Sequence, residues 1–197
     1  MEIQEKRIQY SFENFVTLIE TLLAEDKTTG DNHSEAYLEY TRMNLRRMRR
    51  IHKTAKMLPE TEAAMKSITG NYTWLVITEA WCGDAAQNLP ALQRISELSP
   101  NVKLKIVLRD QNLDLMDQHL TNGGRSIPKL LMIDDSTGKV VATWGPRPAP
   151  AQQLAADYKK MDPKPAYSEF TKDIQKWYAG DKTLSLQAEF ITLVSKL

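Results

Sequence analysis

The sequence lacks a second cysteine, a long apolar segment and a clear excess of charge of one sign. Because Cys82 is the single cysteine of 197 residues, the chain cannot form an internal disulfide, and a reducing, cytoplasmic setting is the simplest expectation. The first fifteen residues contain no apolar run of the kind that a signal peptide needs, and Glu2 and Glu5 argue against a transit peptide. No run of about 18 apolar residues occurs, so we expect no membrane span.

Charge balance and histidine spacing argue against nucleic acid binding and metal binding. The chain has 26 lysines and arginines against 25 aspartates and glutamates, which gives no overall attraction to nucleic acid or to an anionic membrane. His33, His52 and His119 are scattered, and one cysteine cannot complete a structural zinc site. We therefore expect no metal and no resident cofactor.

The strongest local charge bias lies in a predicted helix, within residues 42–56. Arg42, Arg46, Arg49 and Lys53 fall on one stripe at helical spacing. Such a stripe is most often a solvated face paired with acidic residues, and we expect this here. An acidic or phosphate-bearing partner is the alternative, and binding to nucleic acid would then weaken steeply with salt.

Helical patterns fill both ends of the chain, in residues 1–59 and 151–197. Ser11 and Ser168 are predicted helix caps, and Pro59 is expected to interrupt a helix. The helices predicted from apolar spacing span about 11–27, 34–57 and 60–68 before the first predicted strand, and 148–158, a stretch after Ser168, and 184–197 after the last one.

The central region, residues 60–150, predicts an α/β domain. The apolar, β-branched segment Tyr72–Thr78 is typical of a buried strand. Further strands are predicted at 101–108, 129–133 and 139–144, with helices at about 83–98 and 113–120 and a turn at 134–138. The order of strand, helix, strand, helix and hairpin implies parallel strands followed by an antiparallel pair.

The segment Ala-Trp-Cys-Gly-Asp-Ala, residues 80–85, contains the candidate chemistry, because Cys82 stands between a predicted strand and a predicted helix. A cysteine in the first turn of a helix lies near free backbone N–H groups and the positive end of the helix dipole, which favour the reactive thiolate. Gly83 permits close approach of a partner's backbone. Asp84 acts in the opposite direction, since a neighbouring carboxylate disfavours a second negative charge. The sequence does not decide whether Cys82 is easier or harder to ionise than a free thiol.

These residues resemble the thioredoxin family over roughly 72–147. Trp-Cys-Gly at 81–83 matches the start of the family's Trp-Cys-Gly-Pro-Cys motif, and Ile127-Pro128 stands where the family has its cis-proline. The positions that carry the resemblance are, in chain order, Trp81, Cys82, Pro90, Pro128, the turn DDSTG at 134–138 and Gly145. The resemblance implies a thioredoxin-like fold for residues 60–150. The helices of 1–59 and 151–197 are then extensions packed on it, which cover the sheet or form a homodimer surface.

Several parts of the family's dithiol cycle are missing from this sequence. Ala85 replaces the second cysteine, and Asp84 replaces the proline that precedes it. Val76 aligns with the family's buried acid, and about Ile106 with the lysine partner of that acid. Reduction of a substrate through an internal disulfide is therefore not available to this chain.

Three interpretations of Cys82 remain. In the preferred one the protein is a thiol redox protein, a monothiol disulfide oxidoreductase whose Cys82 attacks protein or small-molecule disulfides, with a low-molecular-weight thiol as co-substrate. In the second, the same groove binds a peptide or protein without turnover, as a scaffold with a degenerate site. In the third, Cys82 is a small buried residue with no chemical role. The predicted binding residues are Trp81, Gly83, Asp84, Ile127 and Pro128.

The exposure of the Cys82 sulfur separates these interpretations. A sulfur open to solvent and facing a cis Pro128 favours redox chemistry, with the partner chain pairing as an added strand along Ile127. Burial by Trp81 or by the added helices disfavours it. Arg125, which is close to Pro128 in sequence, is a further candidate for stabilising a thiolate or binding the carboxylate of a small thiol.

Overall fold

Three helices precede the sheet within residues 7–197, the part of the chain that the computed structural model describes. They are α1 (Phe12–Ala24), α2 (Glu35–Thr54) and α3 (Pro59–Lys66). As predicted, Ser11 caps α1, because its side chain accepts the N–H of Asn14 at 3.2 Å. Glu2 and Glu5, on which the expectation about targeting depends, lie outside the described residues.

Pro59 follows the predicted break between the second and third helices and is itself the first residue of α3. The helix α2 ends at Thr54, before the predicted end at residue 57, and Ala55 already has an extended backbone. Proline suits the first position of α3, since the N–H that it lacks would have no partner within the helix. The third helix therefore covers Pro59–Lys66 instead of 60–68.

Four strands of the described chain form one sheet in the order β2-β1-β3-β4. They are β1 (Tyr72–Thr78), β2 (Val102–Leu108), β3 (Lys129–Asp134) and β4 (Val140–Trp144). The strand β1 is parallel to β2, whereas β3 is antiparallel to β1 and β4 is antiparallel to β3. This arrangement confirms the predicted parallel strands followed by an antiparallel pair.

The remaining helices of the described chain connect the strands or follow them. They are α4 (Gly83–Ser96), α5 (Leu113–Asp117), α6 (Ala149–Lys160), α7 (Tyr167–Asp181) and α8 (Leu184–Val194). The prediction of Ser168 as a cap is wrong, because α7 begins at Tyr167 and has no side-chain cap. In this first turn Phe170 stacks on Tyr158 of α6, with ring centroids 4.4 Å apart.

Two apolar clusters lie on the two faces of the sheet. The larger contains Val76 and Ile106 from the strands together with side chains of α1, α2, α4 and α8. The smaller contains Leu75 and Ile77 together with α5 and the thiol of Cys82. Burial on both faces explains the continuous apolar run of β1, in which all positions are buried. The predicted α/β class, a thioredoxin-like fold with added N-terminal and C-terminal helices, is confirmed.

None of the helices within residues 7–197 is both long enough and apolar enough to cross a bilayer. The same residues contain no group of three or more His, Cys, Asp and Glu side chains placed to hold a metal ion.

Candidate thiol site

Cys82 lies at the N-terminus of α4, in the position that the sequence predicts. The strand β1 ends at Thr78, the chain turns, and Cys82 becomes the N-cap of the helix. Its sulfur accepts the backbone N–H of Ala85 at 3.4 Å. This hydrogen bond satisfies one of the N–H groups that every helix start leaves free.

Pro128 lies beside this sulfur, as the resemblance implies. The Ile127–Pro128 peptide bond is cis, and the Cys82 thiol donates to the carbonyl oxygen of Ile127 at 3.3 Å. Gly145 closes the other side of this turn. A Cβ at Gly145 would lie 2.2 Å from the Pro128 carbonyl oxygen, and its φ of +113° favours glycine.

The Cys82 thiol is buried and protonated at neutral pH. Only 7% of the residue is exposed. Burial, followed by the negative charge of Asp84, raises the pKa of Cys82 to about 12. Hydrogen bonds from the backbone of Ala85 and Asp84 and the charge of Arg147 act in the opposite direction but do not outweigh burial. The sequence predicted opposite effects of the helix N-terminus and of Asp84 on the pKa of Cys82. Burial, which the sequence did not reveal, decides the outcome and raises this pKa.

Asp84 is held by partners from the C-terminal half of the chain. Its carboxylate forms an ion pair with Arg147 at 2.6 Å, and it accepts the hydroxyl of Tyr178 at 2.9 Å. Burial nevertheless raises the pKa of Asp84, against the lowering effect of Arg147. Sequence reasoning missed Arg147. The available signal was its place just after Gly145, in the loop that must lie next to Pro128.

The helix α7 covers the start of α4. Gln87 donates to Gln175 of α7 at 2.6 Å, and Asn88 donates to the Tyr178 hydroxyl at 3.1 Å. A Cβ at Gly83 would lie 3.5 Å from the side-chain nitrogen of Gln175. The side of the thiol beside Gly83, where we expected a partner's backbone to approach, therefore faces this chain's own helix α7.

Trp81 packs between the N-terminal helical region and the loop after β2. Its ring lies 5.3 Å from that of Tyr37, and the guanidinium of Arg109 stands 4.9 Å from its centroid. On its other side, a Cβ at Gly30 would lie 3.7 Å from the indole nitrogen and 2.6 Å from a carboxylate oxygen of Asp110. Trp81 is thus a packed wall of the site.

A cavity of about 810 Å³ opens beside the thiol. The predicted site residues Trp81, Cys82, Gly83, Asp84 and Ile127 all line it. Pro128 is buried directly behind this wall and is not part of the lining. The sulfur therefore fits neither expected arrangement fully. It faces a cis Pro128 and a cavity, as redox chemistry requires, but it is largely buried from solvent, which disfavours that chemistry.

Arg125 lines the same cavity but is engaged elsewhere. Its guanidinium makes two hydrogen bonds with Asp117, at 2.6 and 2.8 Å. The cation that acts on the charge of the Cys82 thiol is Arg147. In the basic stripe of α2, Arg42 pairs with Glu35 at 2.8 Å.

Sequence comparison assigns the family. A family model described as thioredoxin matches residues 30–159. The chain belongs to the thioredoxin family. A search of curated protein sequences found no significant match.

Solved structures similar to this thioredoxin family member show the same fold. One is a protein of unknown function from Pseudomonas aeruginosa, 17% identical, with a TM-score of 0.56, covering 95% of this chain and 98% of that one. Another is an HIV epitope scaffold, also 17% identical, with a TM-score of 0.54 and the same coverage. At this identity the similarity is one of fold, and it extends over the added helices as well as the sheet.

The residues that the resemblance aligns with the family's dithiol machinery are buried. Val76 and Ile106, aligned with the acid and its lysine partner, pair across β1 and β2 and are fully buried. Ala85, aligned with the second cysteine, is also buried. A different buried acid, Glu79, directly follows β1 and lies three residues before Cys82. Glu79 is 1% exposed and accepts the backbone N–H of Asp110 at 2.9 Å, and burial raises its pKa.

Proposed function

We propose that this thioredoxin family protein exchanges disulfides through Cys82 alone. The observation that carries the proposal is the position of the sulfur at the N-terminus of α4, opposite the cis Pro128 and open to a cavity of about 810 Å³. A cavity of this size admits a small organic molecule. The chain's own α7 lies over the Gly83 side of the thiol and narrows the approach of a protein partner, which favours small disulfides as substrates.

The proposed exchange balances without a second cysteine in the chain. Cys82 loses its thiol proton to solvent, and the thiolate attacks one sulfur of a disulfide R–S–S–R. The S–S bond breaks, a mixed disulfide between Cys82 and R forms, and RS⁻ leaves and takes up a proton. The thiolate of a low-molecular-weight thiol then attacks the sulfur of R, which releases Cys82 and forms a new disulfide. The protein is neither oxidised nor reduced over the cycle.

The raised pKa of the buried thiol limits the rate of this chemistry. With a pKa of about 12 for Cys82, only a small fraction of the thiol is ionised near neutral pH, and the thiolate is the reactive form. The proton must also leave the hydrogen bond to Ile127. We therefore expect slow exchange that accelerates with pH. A reducing, cytoplasmic setting, with protein or small-molecule thiols as partners, belongs to the same proposal.

A second candidate is a binding or scaffold protein with a degenerate active site. The observation that favours it is the burial of the protonated thiol under α7, since a nucleophile in constant use is normally accessible and readily ionised. In that case the cavity binds a ligand and Cys82 contributes only part of its wall.

An exchange assay on the reduced, folded protein separates the two candidates. The protein is incubated at pH 9 with 2-hydroxyethyl disulfide, and its intact mass is followed, with Cys82→Ser as the control. We expect one added 2-mercaptoethanol group per chain, absent from the control and removed by dithiothreitol. An adduct that forms only in denaturant would reject exchange and leave the binding function.

A further inference from the structure

The charge around the cavity is strongly one-sided. Five cationic side chains line it, together with the single carboxylate of Asp84. The cations are Arg47, Arg109, Arg125, Arg147 and Lys172. A concave site with this lining attracts anions, because low-dielectric walls strengthen the field of the charges.

Three of these arginines are neutralised by neighbouring acids. Arg147 pairs with Asp84 at 2.6 Å. Arg109 pairs with Asp110 at 2.8 Å, and Arg125 pairs with Asp117 at 2.6 Å. These pairs shape the wall, but most of their charge is already compensated.

Among the half-buried cations of the wall, Arg47 is the one without an acidic partner in the described chain. No carboxylate of the described residues 7–197 lies within ion-pair distance of it. It is half-buried, and burial together with the nearby charge of Arg50 lowers its pKa. A cation in such a place costs free energy unless an anion joins it.

The orientation of Arg47 is fixed by a buried amide. Arg47 donates to the side-chain oxygen of Asn44 at 3.2 Å, and the Asn44 amide nitrogen donates to the carbonyl of Ala80 at 3.0 Å. Asn44 is 0% exposed. The guanidinium is thus tied through one side chain to the loop that carries Trp81 and Cys82, and it keeps further N–H donors for a ligand.

The rest of the lining suits an apolar or aromatic body. Five aromatic residues line the cavity, and they are Tyr37, Tyr40, Trp81, Tyr167 and Phe170. The volume of about 810 Å³ lies within the range usual for pockets that hold small organic ligands.

We infer that this cavity binds a small organic anion, an aromatic or apolar body bearing one oxyanion, whose charge is received by Arg47. The guanidinium offers the donor geometry that matches carboxylates, sulfonates and phosphates, and the aromatic rings enclose the body. This inference does not depend on the proposed exchange chemistry, because Arg47 and the rings are in place whether or not Cys82 reacts.

The test uses 8-anilinonaphthalene-1-sulfonate as the probe, an aromatic body with one oxyanion. Fluorescence titration is performed on the full-length Cys82→Ser protein, so that failure of disulfide exchange cannot affect the result. The variants are Arg47→Gln, Arg47→Lys and, as a matched control, Arg46→Gln, which alters an exposed arginine one position away and outside the cavity lining. The uncharged analogue N-phenyl-1-naphthylamine is titrated in parallel.

We expect saturable, one-to-one binding that Arg47→Gln weakens about tenfold, the equivalent of one charged hydrogen-bonding contact. Arg47→Lys should keep part of the affinity, Arg46→Gln should leave it within about twofold, and the uncharged analogue should be indifferent to Arg47. Retained circular dichroism of Arg47→Gln shows that the fold is intact. Absence of saturable binding, or equal losses in Arg46→Gln and Arg47→Gln, would overturn the inference.

Discussion

At the scale of single residues, Asp84 controls the environment of the thiol. It adds negative charge beside Cys82 and at the same time ties α4 to Arg147 and Tyr178. Replacing Asp84 therefore has two effects, one on the ionisation of the thiol and one on stability. The thiol becomes easier to ionise, while a largely buried guanidinium loses its counter-charge.

Asp84→Asn is predicted to lower the free energy of unfolding by about 2 to 3 kcal/mol, because Arg147 is left unpaired. It should also lower the pKa of Cys82. Urea unfolding at pH 7 measures the first effect and thiol titration the second. Arg147→Gln is the matched partner, and adding it to Asp84→Asn should cost less than it costs alone. Strict additivity of the two changes would contradict the role of the ion pair.

Cys82 also predicts how stability depends on pH. In the unfolded chain the thiol ionises near pH 8.5, whereas in the fold its pKa is about 12. Above pH 8.5 the folded state therefore holds a proton that the unfolded state has lost, so stability falls as pH rises toward 12. Relative to Cys82→Ala, the wild-type protein should lose about 2 kcal/mol between pH 8 and pH 10. Parallel pH profiles of the two proteins would show that the thiol is not buried as described.

Local sequence predicts some of the site residues and not others. Cys82 and Pro128 could be placed because each stands in a short motif next to a strand, and the strands bring the two together. Arg147 could not, because its contact with Asp84 depends on the path of the loop after Gly145. Arg47 belonged to a basic segment whose stripe was expected to be solvated, yet it faces inward through the buried Asn44.

At the scale of elements, strands were predicted better than helix ends. The run Tyr72–Thr78 is a strand with the bounds that its apolar, β-branched composition indicates. Helix ends depend more on packing against other parts of the chain. The helix α7 begins at Tyr167, so the serine expected to cap it lies inside the helix, and Phe170 of its first turn stacks on Tyr158 of α6.

The helix α7 is held over the thiol site by a few polar contacts, which predicts the effect of Tyr178→Phe. This change removes the hydroxyl that donates to Asp84 and accepts from Asn88. Loss of these bonds costs about 1 to 2 kcal/mol. The equilibrium constant for local opening of α7 should therefore rise about 5- to 30-fold. Hydrogen exchange of the α7 amides measures this opening.

The control for this variant is Tyr158→Phe. It removes a phenolic hydroxyl from the same C-terminal part of the chain, but one that donates to Pro165 at an exposed position away from α4. Exchange of the amides in the middle of α7 should change little in this control. Equal protection of α7 in both variants would mean that the contacts with α4 do not hold it.

At the scale of the whole molecule, the two ends of the chain are joined through Gln187. This side chain of α8 is 0% exposed. Its oxygen accepts the N–H of Leu58 at 2.8 Å and the hydroxyl of Thr61 at 3.0 Å, and its nitrogen donates to the carbonyl of Lys56 at 3.1 Å. One buried amide therefore satisfies the backbone of the turn before α3.

Gln187→Leu is predicted to lower the free energy of unfolding by about 3 kcal/mol, because several buried polar groups lose their partner at once. Denaturant unfolding measures the loss. The control is Gln153→Leu, whose exposed side chain bonds only to Asp157 within α6, and which should change stability by less than about 0.5 kcal/mol. Similar losses in both variants would contradict the structural role of Gln187.

The overall architecture was predictable where it follows from the order of elements, and less so where it follows from packing. The order of strands and helices implied the sheet, and the thioredoxin resemblance implied its topology. That α7 would close over the thiol was not predicted, because the contacts of Tyr178 and Gln175 with α4 join distant parts of the chain. The domain boundaries at 59/60 and 150/151 stay a prediction.

The central claim is that a buried, protonated Cys82 is still reached by small molecules in the folded protein. The measurement that tests it most directly is the rate of alkylation by iodoacetamide from pH 6 to pH 10.5 without denaturant, with Cys82→Ser as the blank. We predict a measurable rate that rises about tenfold per pH unit and shows no plateau near pH 8.5, since the thiol titrates toward 12. Alkylation that occurs only in urea would contradict access to the sulfur, and a plateau near or below pH 8.5 would contradict its burial.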